Sequence, residues 1–241
     1  MGGPDCSADG ELGARVSHPE GTGETKQDSR ETEQDSRETS KIIWRQWGPT
    51  TALTWGQEVS GEGFVTKARE YGAYGPEKSI LEIGPGYGRL LRECIRQELS
   101  FRRYVGVDIS SQNVEFLGQE FDRPDIEFIL EDVENVAFDE RFDTVLSSLT
   151  LKHFFPSFGP ALHNVSRFLN PFAQVIFDLL PEGKGDTFHE VDSKPIAYSR
   201  TYLRSEVEEI LRSVPLDLVT FDEVRHSAEQ VRMLVVARKP D

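Results

Sequence analysis

The chain has 241 residues, enough to bury one sizeable core, so a single catalytic domain is the expectation. Its net charge of −15 argues against a nucleic-acid partner, because binders of a polyphosphate backbone present a basic face. Two cysteines, Cys6 and Cys94, exclude a disulfide framework or a metal-spaced cluster, and no apolar run is long enough to span a bilayer, so a cytoplasmic protein without a membrane partner is expected.

Residues 1–40 carry almost no large apolar side chains, and the run Gln27–Glu33 is nearly copied by Gln34–Ser40. Such a segment cannot bury enough surface to offset its ordering entropy, and a disordered acidic low-complexity tail is predicted there. The composition changes at Lys41, where Ile42, Ile43, Trp44, Trp47 and Trp55 follow in close succession, so the folded domain is expected to run over 41–241. Within it, residues 41–75 form an N-terminal lid and helix region. A helix is predicted from about Gly61 to Tyr71, with Phe64, Val65 and Ala68 on one face.

Five β-rich runs follow, Ser79–Ile83, Tyr104–Val107, Ile126–Leu130, Thr144–Ser147 and Gln174–Leu179. Helices are predicted at Arg89–Leu99, Ser110–Phe121, Phe158–Leu169 and Ser205–Ser213. This alternation implies right-handed crossovers and a mainly parallel sheet. The last two runs, Asp217–Val224 and Val231–Arg238, have no room for a helix between them and should form an antiparallel hairpin. The predicted fold is α/β, a seven-stranded, mostly parallel, doubly wound sheet with one antiparallel strand and helices on both faces. The connection 181–204 is long and polar and is expected to flank an acceptor pocket, with Tyr198, Arg200 and Tyr202 as candidate lining residues and His189 read as a solvated, non-contacting side chain.

Between the first strand and its helix stands Glu82-Ile83-Gly84-Pro85-Gly86-Tyr87-Gly88. Glycines at such a turn let the backbone approach a ligand where a Cβ would clash, and a carboxylate just before them suits a cationic ligand better than a pyrophosphate. A second carboxylate, Asp108, ends the next strand, where a ribose diol can be held through both oxygens. A third acidic element, Glu131-Asp132-Val133, closes the strand after that. Three carboxylate-bearing loops thus lie in order at the carboxyl ends of three strands, where ligands bind in open α/β sheets.

These residues resemble the motifs of class I S-adenosylmethionine-dependent methyltransferases, over about Ser79 to Asp241. The resemblance implies that S-adenosyl-L-methionine is the cofactor and S-adenosyl-L-homocysteine the product. It implies that Gly84, Pro85, Gly86 and Gly88 cradle the methionine end with Glu82 in support, and that Asp108 takes the ribose hydroxyls with Ile109 beside the adenine. By the same resemblance Asp132 and Val133 meet the adenine edge, and the segment Phe142–Leu149, including Ser148, lies next to the transferable methyl. Phe172-Ala173 stand where many relatives have Gly-Gly, a local departure in the turn before the fifth strand.

A hydroxyl acceptor must lose a proton, and His153, just past the fourth strand, is the candidate general base. A purely structural histidine is the alternative at that position. Ser147-Ser148 offers neither the amino-methylating Asn/Asp-Pro-Pro-aromatic motif nor the Asp of metal-dependent relatives, so no metal is expected. The expected partner is a small-molecule or glycan hydroxyl, with an N-methyltransferase or a non-catalytic cofactor-binding protein as alternatives.

Overall fold

The computed structural model describes residues 26–49, 60–180, 186–191 and 194–241. In chain order it contains α1 (Lys26–Gln46), α2 (Glu62–Glu70), β1 (Gly75–Ile83), α3 (Arg89–Arg96), β2 (Phe101–Asp108), α4 (Ser111–Glu120), β3 (Ile126–Leu130) and β4 (Phe142–Ser147). After a 3-10 turn (Leu151–His153) come α5 (Gly159–Ser166), β5 (Leu169–Leu179), β6 (Asp186–Val191), β7 (Lys194–Arg200), α6 (Arg204–Ser213), β8 (Asp217–Arg225) and β9 (Val231–Arg238).

Seven strands form one sheet in the order β3-β2-β1-β4-β5-β9-β8. The first five pair in parallel, while β9 runs antiparallel to both β5 and β8 and is the reversed strand. The central strands are apolar on both faces, as a covered parallel sheet requires. Leu81, Val105, Val145 and Val175 face a core shared with α5 and α6, and Ile80, Tyr104, Leu146 and Ile176 face one shared with α2, α3 and α4. The chain order reverses between β1 and β4, so the loops leaving these neighbours diverge and open a crevice at their carboxyl ends.

Two expectations change. The tail predicted through Ser40 is helical over Lys26–Gln46, so the boundary expected at Lys41 falls inside a helix, while residues 1–25 lie outside the described residues. Among the described side chains of helix α1, none belongs to either apolar core. It is fastened by charge: Lys41 Nζ bonds Asp132 Oδ2 and Glu134 Oε2, each at 2.6 Å, and Arg37 pairs with Glu134 at 3.1 Å. The long connection 181–204 is in large part a two-stranded sheet, β6 with β7.

Helix α3 ends earlier than Leu99 because Glu98 takes a left-handed conformation (φ 54) and a Schellman pattern closes the helix, with Leu99 N donating to Cys94 O and Glu98 N to Ile95 O. Phe172 holds φ 62, so the departure from glycine keeps the left-handed turn despite its Cβ, and its N–H donates to Lys239 O. No helix among the described residues is long and apolar enough to cross a membrane.

Candidate active site

The crevice holds a cavity of about 870 Å³, at the upper end of the ~300–1,000 Å³ usual for ligand sites. Glu82, Gly84, Pro85, Gly86, Asp108, Ile109, Asp132, Val133, Ser148 and His153 all line it. Of the residues expected to hold the cofactor or act in catalysis, Gly88 alone does not.

The three glycines of the turn all have positive φ, 67, 57 and 83 at Gly84, Gly86 and Gly88, but they serve different purposes. A Cβ on Gly84 would stand 2.4 Å from Thr150 Cγ2, so this position is closed by the segment after β4. A Cβ on Gly86 would meet nothing within 4 Å, because the position opens on the cavity. A Cβ on Gly88 would strike Leu117 and Phe121 at 2.6 and 2.9 Å, which makes it the glycine that lets α3 pack on α4.

Two carboxylates stand behind this turn. Glu82 is 2% exposed, and burial pushes its pKa up to about 7 even though the Tyr104 hydroxyl donates to Oε2 at 2.5 Å and Arg89 lies nearby. Asp108 accepts from Gly86 N at 3.0 Å through Oδ2 and from Ser110 N at 2.9 Å through Oδ1. Burial raises its pKa, with those amides and Asn113 opposing. The carboxylate thus ties the end of β2 to the glycine turn of β1. Asp132 accepts from Glu134 N at 3.0 Å, and its other oxygen carries the Lys41 ammonium, so α1 closes over this end. Burial disfavours the Lys41 charge, but Asp132 and Glu134 outweigh it and its pKa is raised.

The other end of the cavity begins at β4. Leu149, with φ 63, donates its N–H to Asp178 Oδ1 at 2.9 Å. Ser148 Oγ donates to Asp178 Oδ2 at 2.5 Å and accepts from Arg89 Nη2 at 2.7 Å. His226 Nε2 stands 3.0 Å from the same Asp178 oxygen, both side chains being essentially inaccessible. Burial alone would raise the Asp178 pKa, yet these donors hold it below the usual carboxylate range. Sequence reasoning missed this pair, since nothing local joins the end of β5 to the turn after β8.

His153 closes the 3-10 turn. Its Nδ1 lies 2.7 Å from the carbonyl oxygen of Tyr198, which can only accept, so Nδ1 carries the proton and Nε2 of the neutral ring is the acceptor nitrogen. The Trp44 ring packs 4.2 Å from the imidazole, and Trp47 also lines the cavity. Trp55 lies outside the described residues.

The connection 181–204 contributes differently from expectation. Ala197 and Ser199 of β7 line the cavity, but Tyr198, Arg200 and Tyr202 do not, and the Tyr198 hydroxyl and Arg200 Nη1 turn instead to the Pro156 carbonyl. The backbone of His189 pairs with Ala197 in the β6–β7 sheet.

Comparison with known proteins agrees with this geometry. Residues 81–177 match a family described as a methyltransferase domain. The chain is similar to the phthiotriol/phenolphthiotriol dimycocerosates methyltransferase of Mycobacterium leprae, 32% identical over 142 residues that cover 57% of this chain and 50% of the relative. It is also similar to the fatty-acid O-methyltransferase of Mycolicibacterium smegmatis, 28% identical over 146 residues covering 59% of this chain and 45% of the relative. The chain therefore spans about half the length of these relatives. The crystal structure of the Burkholderia thailandensis 1,6-didemethyltoxoflavin-N1-methyltransferase, with its substrate and S-adenosylhomocysteine, has the same fold: TM-score 0.63 at 18% identity, over 95% of this chain and 94% of that one.

Proposed function

Because the chain belongs to the class I S-adenosylmethionine-dependent methyltransferases, we propose that its cavity binds S-adenosyl-L-methionine along the β1–β2–β3 end and transfers the methyl group to an oxygen of a small acceptor at the other end. The residues present fit that cofactor. Gly86 opens on the cavity with no atom in the way of a closely placed ligand, and Glu82 and Asp108 are buried carboxylates beside it. In this reading Gly84, Pro85 and Gly86 meet the methionine end, Asp108 the ribose hydroxyls, and Ile109, Asp132 and Val133 the adenine. Gly88 acts one step back, by seating α3.

The cofactor supplies a methyl group already activated on a sulfonium, so the chain's work is to align the acceptor, exclude water and take a proton. The observation that carries the oxygen-acceptor reading is the His153–Tyr198 hydrogen bond, which fixes the tautomer and presents Nε2 as a base. Trp44 packs against the same ring and limits its rotation. His153 Nε2 would take the acceptor O–H proton as the O–CH3 bond forms in place of the S–CH3 bond, the pair of electrons returning to sulfur. The relative named as a fatty-acid O-methyltransferase supports an oxygen acceptor with an apolar body. His153→Ala is expected to lower turnover on a hydroxyl acceptor by ~10²-fold, with S-adenosylhomocysteine affinity unchanged. Full activity of the variant on such an acceptor would return His153 to a packing role.

A further inference from the structure

The acceptor end of the cavity carries positive charge that the protein itself leaves unbalanced. Lys152, in the 3-10 turn after β4, and Arg232, near the start of β9, both line it, alongside Gln230, Leu180 and Ser199. Among the described residues Lys152 makes no hydrogen bond or ion pair. Arg232 reaches only its neighbours, Val231 O at 3.2 Å and Gln230 Oε1 at 3.5 Å, and its Nε is buried without a partner.

The carboxylate whose charge reaches both cations is Asp178, and its two oxygens already serve Ser148, the Leu149 amide and His226. Burial, with Arg232 and Arg89 adding to it, pushes the Lys152 pKa down to about 8, and burial lowers that of Arg232 as well. Two desolvated cations sharing a wall destabilise one another unless an anion joins them. In a chain of net charge −15 such a wall is not the general character of the surface.

We propose that Lys152 and Arg232 bind an anionic group of the methyl acceptor, a carboxylate or phosphate, while its apolar body lies against Trp44, Leu149 and Phe154. This rests on the methyl-transfer reading of the same cavity. The Arg guanidinium offers a planar fork for two anionic oxygens and the Lys a mobile point charge beside it. Arg89 is a less suitable anchor for the acceptor, because it starts α3 directly after the glycine turn and is already engaged by Ser60 O and Ser148 Oγ.

The test is calorimetry of octanoate, octyl phosphate and octanol on the protein, first ligand-free and then saturated with S-adenosylhomocysteine. At least one anionic probe should bind roughly ten-fold more tightly than octanol, as a charged-group hydrogen bond implies. The variants K152M and R232M should each lose most of that preference, R232K should keep part of it, and the dissociation constant of S-adenosylhomocysteine should stay within about two-fold in all three. Equal affinity for the acids and the alcohol, or no binding of either acid at millimolar concentration, overturns the proposal. An equal loss of S-adenosylhomocysteine affinity in K152M and R232M also overturns it, by assigning these cations to the cofactor's own carboxylate. Failure of the wild-type protein to bind S-adenosylhomocysteine sinks the methyl-transfer reading instead, and anion binding by the ligand-free protein is then still measured on its own.

Discussion

The two ends of the cavity are built on opposite plans. At the β1–β2–β3 end the three carboxylates are answered within the protein: Asp108 by the Gly86 and Ser110 amides, Glu82 by Tyr104, Asp132 by Lys41. At the far end Lys152 and Arg232 face the cavity, and among the described residues no carboxylate is bonded to either. A wall satisfied from within is preorganised for one fixed ligand shape, whereas a wall with unanswered charge leaves its last partner to the ligand. Under the proposed function the difference places cofactor recognition at the first end and acceptor selection at the second.

The largest effect is expected from attacking the first end. Asp108→Ala removes the acceptor of the Gly86 amide together with the residue expected to hold the ribose, and should weaken S-adenosylhomocysteine binding by ~1.5–3 kcal/mol, about ten-fold or more. An unchanged dissociation constant in a titration would move the ribose contact elsewhere and erase the contrast between the ends.

A smaller effect sharpens the comparison at α1, which bridges both ends through Lys41 at Asp132 and Trp44 at His153. Among the described side chains of α1 none belongs to the apolar cores, so Lys41→Met should loosen the helix alone. We expect a local cost of about 1–2 kcal/mol, below the ~3–5 kcal/mol of a fully buried broken pair, because Arg37 still reaches Glu134 and the freed Asp132 can hydrate. Hydrogen exchange should then accelerate about ten-fold over residues 36–46 and stay unchanged in β1, β4 and β5. Uniform acceleration would mean that α1 is part of the core's cooperative unit.

The same contrast explains what could be read before folding. The β1–β2–β3 end was legible because each element is local: a strand, then its carboxylate or glycines, at a place the crossover rule makes a ligand site. The short helices α3 and α5 were placed but overrun at their ends, since a left-handed Glu98 is not a residue type that announces a stop. The hidden parts are long-range. Lys41 meets Asp132 across 91 residues, and His226 meets Asp178 across 48, so a polar tail reads as solvated until its acidic partner is seen. The β6–β7 pairing escaped because its strands are short and polar, and the packing contact of Gly88 is hidden because a packing glycine and a ligand glycine look alike in sequence.

The central claim is that this crevice is a cofactor site, and calorimetry of the purified protein with S-adenosylhomocysteine tests it most directly. Saturable binding at one site per chain is expected, lost when Gly84→Val drives a side chain into Thr150 at a turn that already requires positive φ. Absence of both binding heat and a thermal shift in the wild-type protein would contradict it.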